Sequence, residues 1–241
     1  MRNNRLMQGI CGGLLLLSGS SIAGIAIDTT RIIFSESDNT TGKSVGITSS
    51  SQSLTPYLVK TQMLRDPYGD QGETPFVVTP SLFRLEKGST NQVRIMKNSV
   101  ALPQDKESVF YFRTIAMPTS EKGLNAPQNH IDGAVQVSTG NIIKLFYRPN
   151  QLGMTQPQAM KSLKFSSVNN GVQVSNPSPY YITLDSVKIA NKPVSLSTKK
   201  GNNMIAPFSS ITYSHVQRQG SVEWKAINDY GGKDEFHAQI Q

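Results

Sequence analysis

Short runs of alternating or continuous apolar residues, separated by Gly, Pro, Asn and Ser, make up most of this chain. Helical periodicity is scarce, whereas such runs recur about every ten residues, as in a sheet protein. The first series has the strand count of a β-sandwich: residues 25–34, 43–49, 56–65, 82–86, 92–96, 109–115 and 134–149. A second series follows: residues 163–168, 171–175, 180–187, 209–214, 222–226 and 235–240. The pattern predicts an all-β chain of two domains.

The longest run, residues 134–149, changes character along its length. Its first half alternates, with Val135 and Val137 on one side, as in a half-exposed strand. Its second half, residues 142–147, is nearly all apolar, which predicts a strand covered on both faces. Lys144 interrupts this apolar half, and a buried ammonium group requires a partner. We therefore expect an edge strand with one apolar row and a cation at its base.

The N-terminus has the composition of a secretory signal peptide. Arg2 and Arg5 precede an apolar run at residues 10–17, and Ala23 and Ala26 offer small-residue cleavage points. The run is shorter than the roughly 20 residues that span a bilayer, which favours cleavage over a membrane anchor. This assignment gives a cleaved signal, an N-terminal domain, a Pro/Gly/Gln-rich linker and a C-terminal domain: residues 1–26, 27–149, 150–157 and 158–241.

Charge and cysteine content narrow the function classes. The chain has 24 basic and 16 acidic side chains, a net charge of +8; without Arg2 and Arg5 the balance is 22 to 16, or +6. No basic run or basic-aromatic interleaving indicates nucleic acid, so the excess fits a surface that steers acidic partners. The only cysteine, Cys11, lies in the signal. The exported chain is thus expected to fold without a disulfide, and no later segment predicts membrane insertion.

Catalytic and metal-binding patterns are missing from the sequence. His130, His215 and His237 are far apart and no cysteine ligands accompany them, so a zinc site is not predicted. There is no G-x-S-x-G elbow, P-loop or G-x-G-x-x-G motif. We therefore predict no enzyme, no metal and no cofactor, and an exported hydrolase is the weakest hypothesis. Residues 118–133 form a long polar loop, which is typical of functional or mobile segments.

Five motifs carry a family resemblance. Arg31 lies in T-T-R-I-I-F and Lys144 in I-I-K-L-F-Y-R-P, and the others are L-P-Q-D-K-E-S-V-F-Y-F-R, V-S-N-P-S-P-Y-Y-I-T and A-I-N-D-Y-G-G. In order over residues 29–232, they resemble the PapD-like family of periplasmic pilus (fimbrial) chaperones. The resemblance implies two immunoglobulin-like β-sandwich domains set as an L or boomerang with a cleft between them. It also implies a periplasmic chaperone that binds fimbrial subunits, prevents their aggregation and delivers them to an outer-membrane usher.

The resemblance also assigns roles in subunit binding. Arg31 and Lys144 would hold the C-terminal carboxylate of the subunit, whereas either cation alone would be typical of a snorkelling or ion-paired side chain. Val135, Val137 and Thr139 would form a donor strand that completes the subunit's unfinished sandwich, which is donor-strand complementation.

The remaining assignments concern the domain angle and the rival function. Glu107, Arg148 and Asp229 match the family's interdomain charge network, and three unrelated surface charges are the alternative. The alternative function is a secreted pilus subunit or adhesin. Subunits carry an N-terminal extension of alternating hydrophobics, whereas only Ile27 and Asp28 separate the predicted cleavage site from the first motif. A chaperone is expected to stay monomeric or to cap itself as a dimer, whereas a subunit polymerises.

Overall fold

The computed structural model describes residues 24–69, 72–119 and 137–241. Most of the predicted signal, most of the long polar loop, His130 and Val135 lie outside these described residues. The strands of the first half are β1 Ile25–Ile27, β2 Arg31–Ser35, β3 Lys43–Ser49, β4 Tyr57–Leu64, β5 Phe76–Thr79, β6 Leu82–Leu85, β7 Thr90–Lys97, β8 Ser108–Pro118 and β9 Thr139–Arg148, with a 3-10 helix at Glu36–Asn39. The second half has helix α1 Gln156–Lys161 and strands β10 Lys164–Val168, β11 Gly171–Ser175, β12 Ile182–Ile189, β13 Lys192–Pro193, β14 Met204–Ile205, β15 Ser210–Ser214, β16 Ser221–Ile227 and β17 Lys233–Gln239.

The first domain is a sandwich of two sheets, with strand orders β1-β3-β7-β5 and β2-β9-β8-β4-β6. Alternate side chains of both sheets meet in one apolar core, in which Phe34, Phe76 and Tyr147 pack against each other. The chain changes sheets at every connection from β1 to β8, and the change between β5 and β6 takes place at the cis Thr79–Pro80 bond.

The single strand predicted for residues 25–34 is wrong, because the chain changes sheets within it. Strand β1 pairs antiparallel with β3, whereas β2 pairs parallel with β9. Asp28 ends β1: its carboxylate accepts a hydrogen bond from the Gly46 amide at 2.8 Å, and its own amide donates to the Gly46 carbonyl at 3.1 Å. Odd-numbered residues of β1 face the core, whereas even-numbered residues of β2 do, and one regular strand cannot make this change.

Strand β9 has an open edge along its first half. It pairs with β8 throughout, from Thr139 onward, but with β2 only from Lys144 to its end. Residues 139–143 therefore have no strand partner on the β2 side within the described chain. The predicted burial of residues 142–147 on both faces is wrong at its beginning, since Ile142 is 43% exposed. The reason is that β2 begins opposite Lys144 and leaves Ile142 uncovered.

The second domain is a smaller sandwich with sheets β10-β11-β15 and β13-β12-β16-β17, and β14 also pairs with β12. Trp224 is at the centre of its core, against Phe165 and Phe236. Helix α1, which the sequence pattern did not predict, begins at a capping box formed by Thr155. It contributes Met160 to this core, and the Met160 carbonyl accepts a hydrogen bond from the Trp224 indole at 3.1 Å. In the described part of the chain, no helix is both long and apolar enough to cross a membrane.

Candidate functional site

The two cations singled out in the sequence lie side by side. The parallel ladder of β2 and β9 pairs Arg31 directly with Lys144. Their neighbours Ile32 and Leu145 point into the first core, so both cations project from the opposite face of the sheet. Adjacent strands are about 4.8 Å apart, which brings the bases of the two side chains into contact range.

Arg31 is buried at the contact between the domains, with 7% of its surface exposed. Its Nη1 donates to the Ile227 carbonyl of the second domain at 2.8 Å, and its Cζ lies 5.6 Å from the ring centroid of Phe146. Its buried Nε has no hydrogen-bond partner. Burial lowers the pKa of Arg31, and Asp229 and Glu107 offset part of that shift. The guanidinium stays charged at any physiological pH and has donors left for an anion.

Lys144 is half-buried, and among the described residues its ammonium group has neither an ion-pair nor a hydrogen-bond partner. Burial lowers its pKa, and the positive charge of Arg31 lowers it further. Both cations border a cavity of about 270 Å³ between the domains, lined by Thr30, Arg31, Ile142, Ile143, Lys144, Ile227 and Gly231. Two adjacent cations without a carboxylate partner are suited to bind an anion through charge-assisted hydrogen bonds.

The predicted donor row is only partly within the described residues. Val135 lies outside them, and Val137 precedes β9 and is 65% exposed. Thr139 is the first residue of β9, and its buried hydroxyl has no hydrogen-bond partner. The structure therefore places Val137 and Thr139 where the open edge of β9 begins, with Lys144 at the other end of that edge.

The three residues assigned to the charge network contact each other. Arg148, the last residue of β9, donates from Nε to Glu107 at 2.7 Å. Its two terminal nitrogens donate to the two carboxylate oxygens of Asp229 at 2.7 and 2.8 Å, a bidentate pair across the domain boundary. The second oxygen of Glu107 accepts from the Tyr181 amide at 2.9 Å, and the Arg148 Cζ lies 5.0 Å from the Tyr180 ring centroid.

Burial and pairing act in opposite directions in this network. Burial raises the pKa of Glu107, and its interactions with Arg148 and Tyr181 offset part of that shift. Burial also lowers the pKa of Arg148, but Asp229 and Glu107 outweigh it, so that this pKa lies above its ordinary value. Such an ion pair is weak evidence for net stability, but removing one partner leaves the other charges buried without a countercharge.

Sequence reasoning missed Asn228, which builds the turn between β16 and β17. Its side-chain oxygen accepts from the Tyr230 amide at 3.1 Å and the Gly232 amide at 2.9 Å, and its own amide donates to the Gly232 carbonyl at 2.8 Å. Its side-chain amide donates to Asp234 at 3.1 Å. The segment Asn-Asp-Tyr-Gly-Gly between two β-rich runs is the signal that was available for this turn.

This turn presents the second domain to both arginines. Ile227, the last residue of β16 before the turn, offers its carbonyl to Arg31, and Asp229 within the turn offers its carboxylate to Arg148. Gly231 has a φ of 83°, and a Cβ at this position would collide with the Thr30 side chain. Glycine is therefore required at Gly231 both for its conformation and for its contact with the first domain.

Two immunoglobulin-like sandwiches, joined through a buried charge network and with a pair of cations at the base of an open strand edge, define a two-domain binding protein of the immunoglobulin-like class. Residues 24–153 match the family "Pili and flagellar-assembly chaperone, PapD N-terminal domain", and residues 158–238 match "Pili assembly chaperone PapD, C-terminal domain". The chain therefore belongs to the PapD-like family of pilus assembly chaperones.

Individual relatives agree with this assignment. The chain is 32% identical over 226 residues to the "Probable fimbrial chaperone protein ElfD" of Escherichia coli, covering 91% of this chain and 90% of that relative. It is 34% identical over 172 residues to the chaperone protein HifB of Haemophilus influenzae, covering 70% and 68%. The E. coli chaperone DraB has a similar structure, with a TM-score of 0.74, 28% identity and 91% and 97% coverage.

A second similar structure is the Salmonella enterica chaperone SafB in complex with the SafA pilin, with a TM-score of 0.73, 26% identity and 92% and 98% coverage. Together, these similarities confirm three predictions made from the sequence: the family, the two-domain immunoglobulin-like fold and the role as a chaperone of pilus assembly. The alternative of a pilus subunit or adhesin is not favoured. PapD-like chaperones are a non-enzymatic class of protein.

Proposed function

We propose that this protein works in the periplasm, where it binds pilus subunits by donor-strand complementation and delivers them to an outer-membrane usher. In this proposal, Arg31 and Lys144 grip the C-terminal carboxylate of the subunit. The observation that carries the proposal is the adjacency of these two cations, neither with a carboxylate hydrogen-bonded to it in the described chain, at the base of an open strand edge. The signal-like N-terminus supports export to the periplasm.

The carboxylate grip supplies both affinity and register. A hydrogen bond to a charged group contributes about 1.5–3 kcal/mol, and two neighbouring cations fix the end of the bound chain. Register matters because a slip by one residue turns every side chain of a strand to the other face. With its terminus fixed by Arg31 and Lys144, a subunit strand meets residues 139–143 of β9 in one alignment.

The open edge supplies the rest of the contact. Its unpaired backbone groups can continue a ladder into the subunit, which is the β-augmentation mode of recognition. The row formed by Val135, Val137 and Thr139 then enters the subunit's groove. Burying an apolar side chain contributes roughly 1.5–3 kcal/mol, with valine near the lower end. No nucleotide, metal or covalent step is needed, because binding alone protects the subunit.

The proposal is tested by producing the protein in a periplasm together with a pilus subunit encoded by a neighbouring reading frame. We expect wild-type protein to yield a soluble one-to-one complex and Lys144→Ala or Arg31→Ala to yield little. Arg94→Ala is the matched control, since it removes one exposed cation from β7 in the other sheet. Equal recovery of complex from wild type and all three variants would refute the anchoring role.

A further inference from the structure

A diagonal row of four cations crosses the sheet that carries the anchor pair. It begins with Arg31 on β2 and Lys144 on β9, which are direct ladder partners. Arg113 on β8 lies one strand further and two residues along, opposite Ile142. Lys60 on β4 lies one more strand and two more residues along, because it pairs with Ile115 of β8, two residues beyond Arg113. Arg31, Lys144, Arg113 and Lys60 are called the cationic row below.

All four side chains project from one face. The residues that flank Arg113 and Lys60 along their strands point into the first core: Phe112, Thr114, Val59 and Thr61 are all buried. Arg113 and Lys60 therefore point outward, as Arg31 and Lys144 do. From the spacing of strands and residues, each of the last two steps of the row covers roughly 8 Å.

No member of the cationic row forms an ion pair with another described residue. Arg113 donates from Nη2 to the neutral amide of Gln62 at 2.7 Å, and its buried Nε has no partner. Lys60 is exposed and, like Lys144, has no ion pair within the described chain. At the margin of the same sheet, Arg84 differs, because Glu86 neutralises it at 2.6 Å.

The outward face of the other domain shows that this arrangement is not general. There, on β12, β16 and β17, exposed lysines alternate with acids and pair with them: Lys188 with Glu223, Lys225 with Glu235 and Lys233 with Asp185. A face with paired charges is neutral to an approaching partner, whereas a row of unpaired cations attracts a negative surface. The face that carries Arg31 and Lys144 therefore presents a row of unpaired cations, whereas these three lysines of the second domain are neutralised.

We propose that the cationic row is a docking surface for an acidic patch on the bound pilus subunit, with Arg113 and Lys60 extending the contact beyond the carboxylate anchor. This inference rests on the proposed function, since the subunit is the partner in both. The two parts of the row act at different stages. The anchor pair holds a carboxylate in a desolvated pocket and so governs dissociation, whereas the exposed end steers approach and so governs association and its salt dependence.

The test measures association and dissociation rates between the purified protein and the subunit recovered by co-production, at several salt concentrations. The Lys60→Gln/Arg113→Gln double variant is expected to associate about three- to tenfold more slowly at low salt, with a flatter salt dependence and a nearly unchanged dissociation rate. The matched control is Arg94→Gln/Lys164→Gln, which removes the same charge from exposed positions on β7 and β10. Its rates are expected to stay close to those of wild type.

Lys60→Gln alone is the control for a folding defect in the double variant, because the Lys60 side chain is exposed and makes no hydrogen bond in the described chain. It should show part of the same slowing. Equal slowing by the double variant and its control would overturn the proposal, as would an unchanged salt dependence. Failure of the proposed carboxylate anchor would be seen separately. In that case Lys144→Ala would leave the dissociation rate unchanged, whatever the association rates of the other variants.

Discussion

We expect Lys144 to destabilise the free protein, because its ammonium group is half-buried next to Arg31 and has no carboxylate partner in the described chain. We expect Lys144→Met to raise the free energy of unfolding by on the order of 1 kcal/mol while abolishing retention of the subunit. Urea denaturation of the protein without a subunit measures the first effect. Lys60→Met, at an exposed position, is the control and should change stability by less than Lys144→Met. A loss of stability in Lys144→Met would show that this cation is satisfied in the free state.

If Lys144 binds the subunit as proposed, we expect binding to be sensitive to alkaline pH. Its pKa is lowered from the ordinary value of 10.5, and a bound carboxylate favours the charged form and raises it again. Affinity is therefore full below the lowered pKa and declines by up to about tenfold per pH unit above it. The stability of the free protein has the opposite dependence on pH from the affinity for the subunit. The unfolded chain binds this proton more tightly, so the stability contributed by Lys144 rises between the lowered pKa and 10.5.

Binding assays across alkaline pH test this expectation, with Lys144→Arg as the comparison. A guanidinium stays charged throughout that range, so the variant should lose the decline even if its affinity at neutral pH is lower. An identical decline in Lys144→Arg and wild type would assign the pH dependence to another group.

Several site residues could be inferred from sequence because a charge inside an apolar run is conspicuous. Arg31 and Lys144 interrupt such runs, and the structure brings them together on adjacent strands. Asn228 is less conspicuous, since its side chain binds backbone amides within a turn. No sequence pattern shows which carbonyl of that turn will face Arg31. Arg113 was not singled out either, because its place beside Lys144 depends on register between strands that are distant in sequence.

At the scale of elements, the first strand favours one of the two cleavage points predicted for the signal peptide. Strand β1 pairs residues 25–27 with β3, and Ile25 and Ile27 pack against the first core. Cleavage after Ala26 would remove Ile25 and most of this strand, whereas cleavage after Ala23 leaves it whole. We therefore expect the mature protein to begin at Gly24, which N-terminal sequencing of exported material will show. A mature start at Ile27 would mean that β1 does not form in the exported protein.

Elements were predictable where their periodicity was uninterrupted. The pattern placed β3 at Lys43–Ser49 and β11 at Gly171–Ser175, as the structure has them. It missed β5, Phe76–Thr79, a four-residue strand that runs directly into Pro80. It also missed α1, whose six residues are too few to show helical periodicity; its capping box at Thr155 was the available signal. Packing against the core, which a linear pattern does not contain, determines both elements.

At the scale of the whole molecule, Arg148 of the first domain is hydrogen-bonded to Asp229 of the second. Arg148→Ala leaves Glu107 and Asp229 without their shared countercharge, and breaking a buried pair in this way costs about 3–5 kcal/mol. We expect calorimetry to show two separate unfolding transitions in the variant instead of one coupled transition in wild type. Arg148→Lys keeps the charge but loses the bidentate geometry, so its behaviour should be intermediate. A single transition at an unchanged temperature in Arg148→Ala would mean that other interdomain contacts suffice.

The point at which β2 joins β9 has a consequence for the length of any client tail. Arg31 is the first residue of β2 and also one of the two paired cations. The pairing of β2 with β9 therefore begins at the position proposed to bind a terminal carboxylate. Counting back from Lys144, five positions of β9 remain to be matched, residues 139–143. Under the proposed function, recognition would therefore depend on the distance between a client's last residue and its final strand, and we expect that adding or deleting residues between the two would prevent binding even with every other contact preserved.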